Sequence, residues 1–184
     1  MVVPIQFPSY DWSGDTHVLE IGDSGAWQLA VGPEVFMPSE FLVEIDAEAQ
    51  PAADPLPPDY YPTLLVSGGL TAWWNAGSPP PPRVSLRCWF VMDSTQLDPE
   101  DIPTTAGTIR SLHAHFRAYA GGTAEHPFGG SLQRPEFAGF KSMASTTESD
   151  FSGMTAHAAR PGLEWPEASE WSLMGWVAMV EVSD

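Results

Sequence analysis

Proline and glycine break this chain too often for a long helix to run through it. Nineteen prolines and sixteen glycines are spread over 184 residues and fall between short apolar runs rather than in one low-complexity block. Proline removes a backbone donor and glycine carries the largest backbone entropy cost, so each interruption ends a regular element or turns the chain. What survives between them is of strand length. The pattern predicts a mostly β (α+β) chain: an antiparallel β-sandwich or barrel-like domain with one helix and long Pro/Gly-rich loops. Hydrophobic residues make up 43% against 17% charged, enough apolar surface for a packed core without disulfide or metal staples. A single acidic β-rich domain over residues 1–184 is expected.

Residues 16–21 and 26–31 are strand-like runs on either side of Gly22-Asp23-Ser24-Gly25, which predicts a hairpin with a four-residue loop. Next, Phe41, Val43 and Ile45 alternate with Glu40, Glu44 and Asp46, as in a strand with one wet face. The first 46 residues therefore read as an antiparallel meander. Residues 47–62 hold five prolines and no clear period, and read as a surface loop. Residues 64–66 and 70–74 flank Ser67-Gly68-Gly69 as a second hairpin, followed by a stiff polyproline connector at 79–82. Residues 84–92 are apolar on both alternating faces apart from Ser85 and Arg87, which predicts a central strand covered on two sides. Cys88, within that run, is the only cysteine; it excludes an intrachain disulfide and reads as a small buried hydrophobe.

Residues 108–120 fit two templates. On a helix, Ile109, Leu112, Phe116 and Tyr119 or Ala120 form one stripe, with Gly121-Gly122 as the stop. On a strand, Leu112, Ala114 and Phe116 face one side while His113, His115, Arg117 and Tyr119 face the other. The helix is preferred, since the segment is long for a strand and rich in alanine. Residues 125–162 read as extended loops and short strands, and residues 172–182 as an interior strand. Trp73-Trp74 puts two of eight indoles on opposite sides of a strand, one packing inside and its neighbour facing outward towards an interface.

Charge is the other unusual feature: 24 acidic residues against 7 basic give a net charge of −17. No Lys or Arg precedes Arg83, so the amino-terminal half carries negative charge with no basic residue of its own to oppose it. Direct binding to nucleic-acid phosphates is disfavoured, because it depends on cationic contacts that release counterions. The amino terminus lacks the positive region and apolar stretch of a signal peptide, and no segment approaches the roughly 18 apolar residues of a membrane span. A cytoplasmic or virion location without membrane contact is expected.

Two motifs point towards chemistry. An apolar run ending in Gly22-Asp23-Ser24 resembles the nucleophile block of the GDS-type (SGNH) esterases, with Glu125-His126-Pro127 supplying the His-Pro of their late block. The resemblance implies Ser24 as nucleophile and His126 as its base. Thr123 stands where that family holds aspartate, and a strand-like run rather than a helix follows Ser24. His113-Ala114-His115, six residues after Gly107, resembles the opening of the cupin metal motif; Tyr119 and Ala120 stand where its glutamate belongs. A helix would also point the two imidazoles about 200° apart, so both are read as surface side chains, with no metal or cofactor.

With neither constellation complete, the expectation is a non-enzymatic structural or assembly subunit, such as a tail- or capsid-associated phage virion protein binding neighbouring subunits. Glu40, Glu44, Asp46, Trp73 and Trp74 are the candidate partner-binding residues. The alternatives are an acidic intracellular inhibitor, such as an immunity protein or nucleic-acid mimic facing a basic toxin or nuclease, and, after it, a small GDS-type serine esterase.

Overall fold

The computed structural model describes residues 1–9, 18–32, 37–51, 61–92, 103–119, 133–158 and 170–183. Their strands are β1 (Val2–Pro8), β2 (Ser24–Trp27), β3 (Leu29–Gly32), β4 (Val43–Pro51), β5 (Pro62–Ser67), β6 (Leu70–Asn75), β7 (Arg83–Met92), β8 (Thr105–Tyr119), β9 (Gln133–Met143), β10 (Thr155–Ala158) and β11 (Glu170–Val182). All eleven join one sheet in the order β10-β9-β8-β11-β1-β7-β3-β6-β5-β4, with β2 beside β8. Because β4 also pairs with β7, strands β3 to β7 close into a five-stranded barrel. The other six form an arm that leaves the barrel through β1.

Alternation builds the barrel. Ile45, Ala47 and Ala49 of β4 point inward while Glu44, Asp46 and Glu48 point to solvent; the alternation read over residues 40–46 runs on to Pro51, so residues 47–51 are strand and not the surface loop expected there. The hairpin around Gly68 forms as expected, pairing Ser67 with Leu70 and Val66 with Thr71. Gly68 takes a φ of 58° there, a left-handed conformation that favours glycine. Strand β7 has neighbours in β1, β3 and β4, as a central strand should. It is buried on both faces only over Cys88, Trp89 and Phe90, its first half having one exposed side.

The arm departs from expectation. Residues 108–120 are not a helix: from 105 to 119 the chain is strand β8, and no α-helix occurs among the described residues. The physical reason is a β-bulge. Met179 pairs with Ser111 and Val180 with Ile109, which leaves Arg110 as an extra residue. Before the bulge the odd positions Thr105, Gly107 and Ile109 face the core; after it the even positions Leu112, Ala114 and Phe116 do. The resulting three-residue step from Ile109 to Leu112 imitates helical spacing.

The amino-terminal meander is also corrected, because β1 pairs with β11 and β7, β2 with β8, and β3 with β7 and β6. Gly22 and Asp23 are not the loop of a hairpin either. Gly22 N–H donates to the Ile109 carbonyl and Ile109 N–H to the Asp23 carbonyl, both at 2.9 Å. This segment fills the gap on β8 between β2 and β9. Residues 16, 17, 52–60 and 120–132, which carry the start of the predicted hairpin, most of the Pro-rich loop and the Glu125-His126-Pro127 block, lie outside the described residues.

The main core lies between the barrel interior and the inner face of the arm. Leu29, Leu65, Leu70, Cys88 and Phe90 come from the barrel; Val3, Ile5, Phe7, Ala114, Trp176 and Ala178 from the arm. A smaller cluster covers the arm's opposite, outer face, where Met37 and Phe41 pack on Trp89, Ala138, Phe140 and Val177. The 3-10 turn at Ser39–Phe41 delivers Phe41 to that cluster.

Candidate functional site

The five candidate partner-binding residues occupy three separate places. Glu44 and Asp46 stand on the outer side of β4, in register with Arg87 and Ser85 of β7, and Glu48 faces Arg83. Asp46 accepts a hydrogen bond from the Ser85 hydroxyl, and the Glu48 carboxylate lies 3.5 Å from the Arg83 guanidinium, both exposed. The acidic row is thus answered by a basic one. Sequence reasoning missed this pairing, although Arg83, Ser85 and Arg87 repeat at the same two-residue step as Glu44, Asp46 and Glu48. Two open concavities follow the ladder, one of about 690 Å³ reaching Ser67 and Gly68 and one of about 340 Å³ between Glu44 and Arg87.

Trp73 and Trp74 sit back to back on β6, and neither is outward-facing in full: both are partly buried. Trp74 packs against the main core. The Trp73 Nε1 atom is buried and has no hydrogen-bond partner among the described residues.

Glu40 belongs to a third place, the outer face of β8 and β9. Phe41 meets the His113 ring edge-on at 5.1 Å and the Phe140 ring at 4.5 Å. His113 Nδ1 lies 3.3 Å from the Ser142 hydroxyl. Burial lowers the pKa of His113, and the nearby Glu40 carboxylate works against that shift. These residues line a concavity of about 440 Å³. His115 lies on the same face, because β8 is a strand and alternate side chains share a side. It is not a surface histidine: its side chain is 0% exposed. No group of three or more His, Cys, Asp or Glu residues able to hold a metal ion occurs among the described residues.

Ser24 pairs with Thr108 across β2 and β8, and their hydroxyls share a 2.8 Å hydrogen bond. The side chain thus stands in an exposed strand ladder, whereas an esterase nucleophile stands on a sharp strand-to-helix turn. The Cys88 thiol is buried in the main core, where desolvation pushes its pKa up to about 11. It is a packing group, as the sequence predicts. No helix among the described residues is long and apolar enough to cross a membrane. No family model, curated protein or solved structure matches the chain.

Proposed function

We propose that this protein is a non-catalytic assembly subunit, of the kind that builds phage tails or capsids, and that it joins a neighbouring copy through the free edge of its arm. The observation that carries this reading is that the sheet is closed at one end and, among the described residues, open at the other. Closure removes every edge from the barrel. At the far end β10 pairs, among the described residues, with β9 alone. A row of unpaired backbone groups on a strand is a template for a strand from another chain, and an edge-free barrel is a rigid body to carry it.

The acidic-inhibitor reading draws less support. Two exposed carboxylates of the acidic row, Glu44 and Glu48, already face Arg87 and Arg83 within the chain. Self-association is therefore the property to measure. Successive residues of a strand aim their N–H groups to opposite sides. Of the variants Ala156→Pro and His157→Pro, one breaks a β9–β10 hydrogen bond and the other removes only an outward donor. Light scattering across a wide concentration range should show self-association of the wild type, lost in the proline variant that keeps the native fold. A wild type that stays monomeric throughout and forms a one-to-one complex with a basic protein would replace this reading with the inhibitor.

A further inference from the structure

His115 places a polar ring where no described residue offers it a hydrogen bond. The side chain is 0% exposed, and neither Nδ1 nor Nε2 has a hydrogen-bond partner among the described residues. Its cross-strand neighbours are Gly175 on β11 and Phe140 on β9. The imidazole stacks on the Phe140 ring with centroids 4.8 Å apart and planes 3° from parallel. Phe140 in turn touches Phe41, so the Ser39–Phe41 turn reaches His115 through one aromatic ring. A neutral imidazole is accommodated here as an aromatic plate. A charged one is not, because a buried cation without an acceptor is among the costliest groups in a protein interior.

The charged and titratable groups around it do not relieve that cost. On β8 itself, Arg117 adds repulsion and His113 is a half-buried second imidazole. From the turn, Glu40 acts on His113. On β9, the Lys141 ammonium is engaged by the Asp150 carbonyl and carboxylate. Around Gly175 and Val177, β11 contributes no ionisable side chain. Burial first and Arg117 second push the His115 pKa down to about 3.

We propose that His115 is an acid-sensitive latch: protonation of its ring parts the Phe140–Phe41 contact and opens the outer face of β8 and β9, while the barrel stays closed. Opening restores an ordinary imidazole to solvent. Below the usual imidazole range, each pH unit therefore raises the open population about ten-fold. The surface uncovered is apolar, comprising Phe41, Trp89, Phe140 and Val177.

Amide hydrogen exchange of the full chain, corrected for intrinsic rates, tests this directly. Between about pH 6.5 and about pH 4.5 the opening constant of peptides spanning 37–45, 112–117 and 138–143 should rise close to ten-fold per unit. Peptides spanning 62–75 in the barrel should show no such slope. His115→Phe should abolish the slope and His113→Gln should keep it. A flat wild-type profile overturns the latch, as does an unchanged slope in His115→Phe or its loss in His113→Gln. Should His115→Phe fail to fold, ring-proton NMR of the wild type decides. A His115 ring that stays neutral in the closed form while the opening constant of those amides rises on acidification supports the latch, and one that titrates near pH 6.5 without loss of protection overturns it.

Discussion

The barrel and the arm are made of the same kind of strand, yet they are held together in different ways. Barrel strands β5 and β6 meet across a tight turn, and the whole ring has no free edge. The arm joins the two ends of the chain: Val2 pairs with Glu181 and Phe7 with Trp176. Bringing such distant residues together costs more loop-closure entropy. Closure braces the barrel from both sides, and each region holds a position where backbones approach closely: a Cβ at Gly69 in the barrel turn would collide with the Ser183 carbonyl oxygen, and one at Gly175 in the arm with that of Phe7.

The largest expected effect follows from one such position. Gly175 lies in β11 at a φ of 138°, and a Cβ there would collide with the carbonyl oxygen of Phe7 in β1. Both the conformation and the collision are backbone problems, so no side-chain rotation relieves them. Gly175→Val should cost about 4 kcal/mol or more, or yield no soluble protein. In the barrel turn, Gly68 also has a positive φ, but nothing lies within 4 Å of the place a methyl group would take. Gly68→Ala should cost about 1 kcal/mol. Urea denaturation of the two variants measures the contrast, and equal losses would erase the distinction between the regions.

Next in size are two buried phenylalanines. Phe7 is fully buried in the arm and meets Trp27 edge-on at 5.5 Å, while Phe90 is fully buried in β7, the strand that barrel and arm share. Truncating either to alanine should cost roughly 3 to 4 kcal/mol. Hydrogen exchange should separate them. Phe7→Ala should loosen β1 and β11 with the barrel hairpin still protected, whereas Phe90→Ala should loosen both regions together.

The same division governs how much of the molecule is legible in its sequence. In the barrel, the alternation of β4, the hairpin at Gly68 and the buried Cys88 are all visible there because each depends on neighbours in the chain. In the arm, the register depends on partners far away. The bulge at Arg110 shifts the phase of β8, and that one residue turns a strand into the likeness of a helix. It also hides that His113 and His115 share a covered face. The composition reads correctly as β-rich, but which strands pair is set by contacts such as Val2 with Glu181 that no local pattern encodes. The candidate site fares worse: Glu40, Glu44 and Asp46 are close in sequence, yet a turn and a strand carry them to different surfaces.

At neutral pH, His115→Phe should stabilise the arm by roughly 1 to 3 kcal/mol, since it removes two unsatisfied buried nitrogens and keeps an aromatic ring against Phe140. The pH dependence has a definite sign. The folded-state pKa of about 3 lies below the unfolded value near 6.5, so between them the unfolded chain binds more protons. His115 therefore makes stability fall as pH falls through that window, by up to about 1.4 kcal/mol per unit, and contributes no such dependence above it. The difference in stability between His115→Phe and wild type should widen on acidification. A constant difference would show that the ring is not the titrating group.

The smallest effect concerns charge, and its sign separates barrel from arm. A net charge of −17 suggests that removing any carboxylate should relieve repulsion and stabilise the fold. The β4–β7 register argues otherwise for Glu44 and Glu48, which face Arg87 and Arg83. Exposed cross-strand pairs of this kind are worth only a few tenths of a kcal/mol. In the arm, Glu20 has no ion pair among the described residues and lies beside Asp23, whose carboxylate accepts its backbone N–H at 2.8 Å. At low salt, Glu44→Gln with Glu48→Gln should destabilise slightly, by less than about 0.5 kcal/mol, while Glu20→Gln should stabilise by a comparable amount. Both differences should fade as salt shortens the screening length towards about 8 Å. Equal signs for the two sets would mean that the global field outweighs the local register. Opposite signs would mean that the acidic row of β4 is largely neutralised within the chain, which leaves less unbalanced charge there for a basic partner to read.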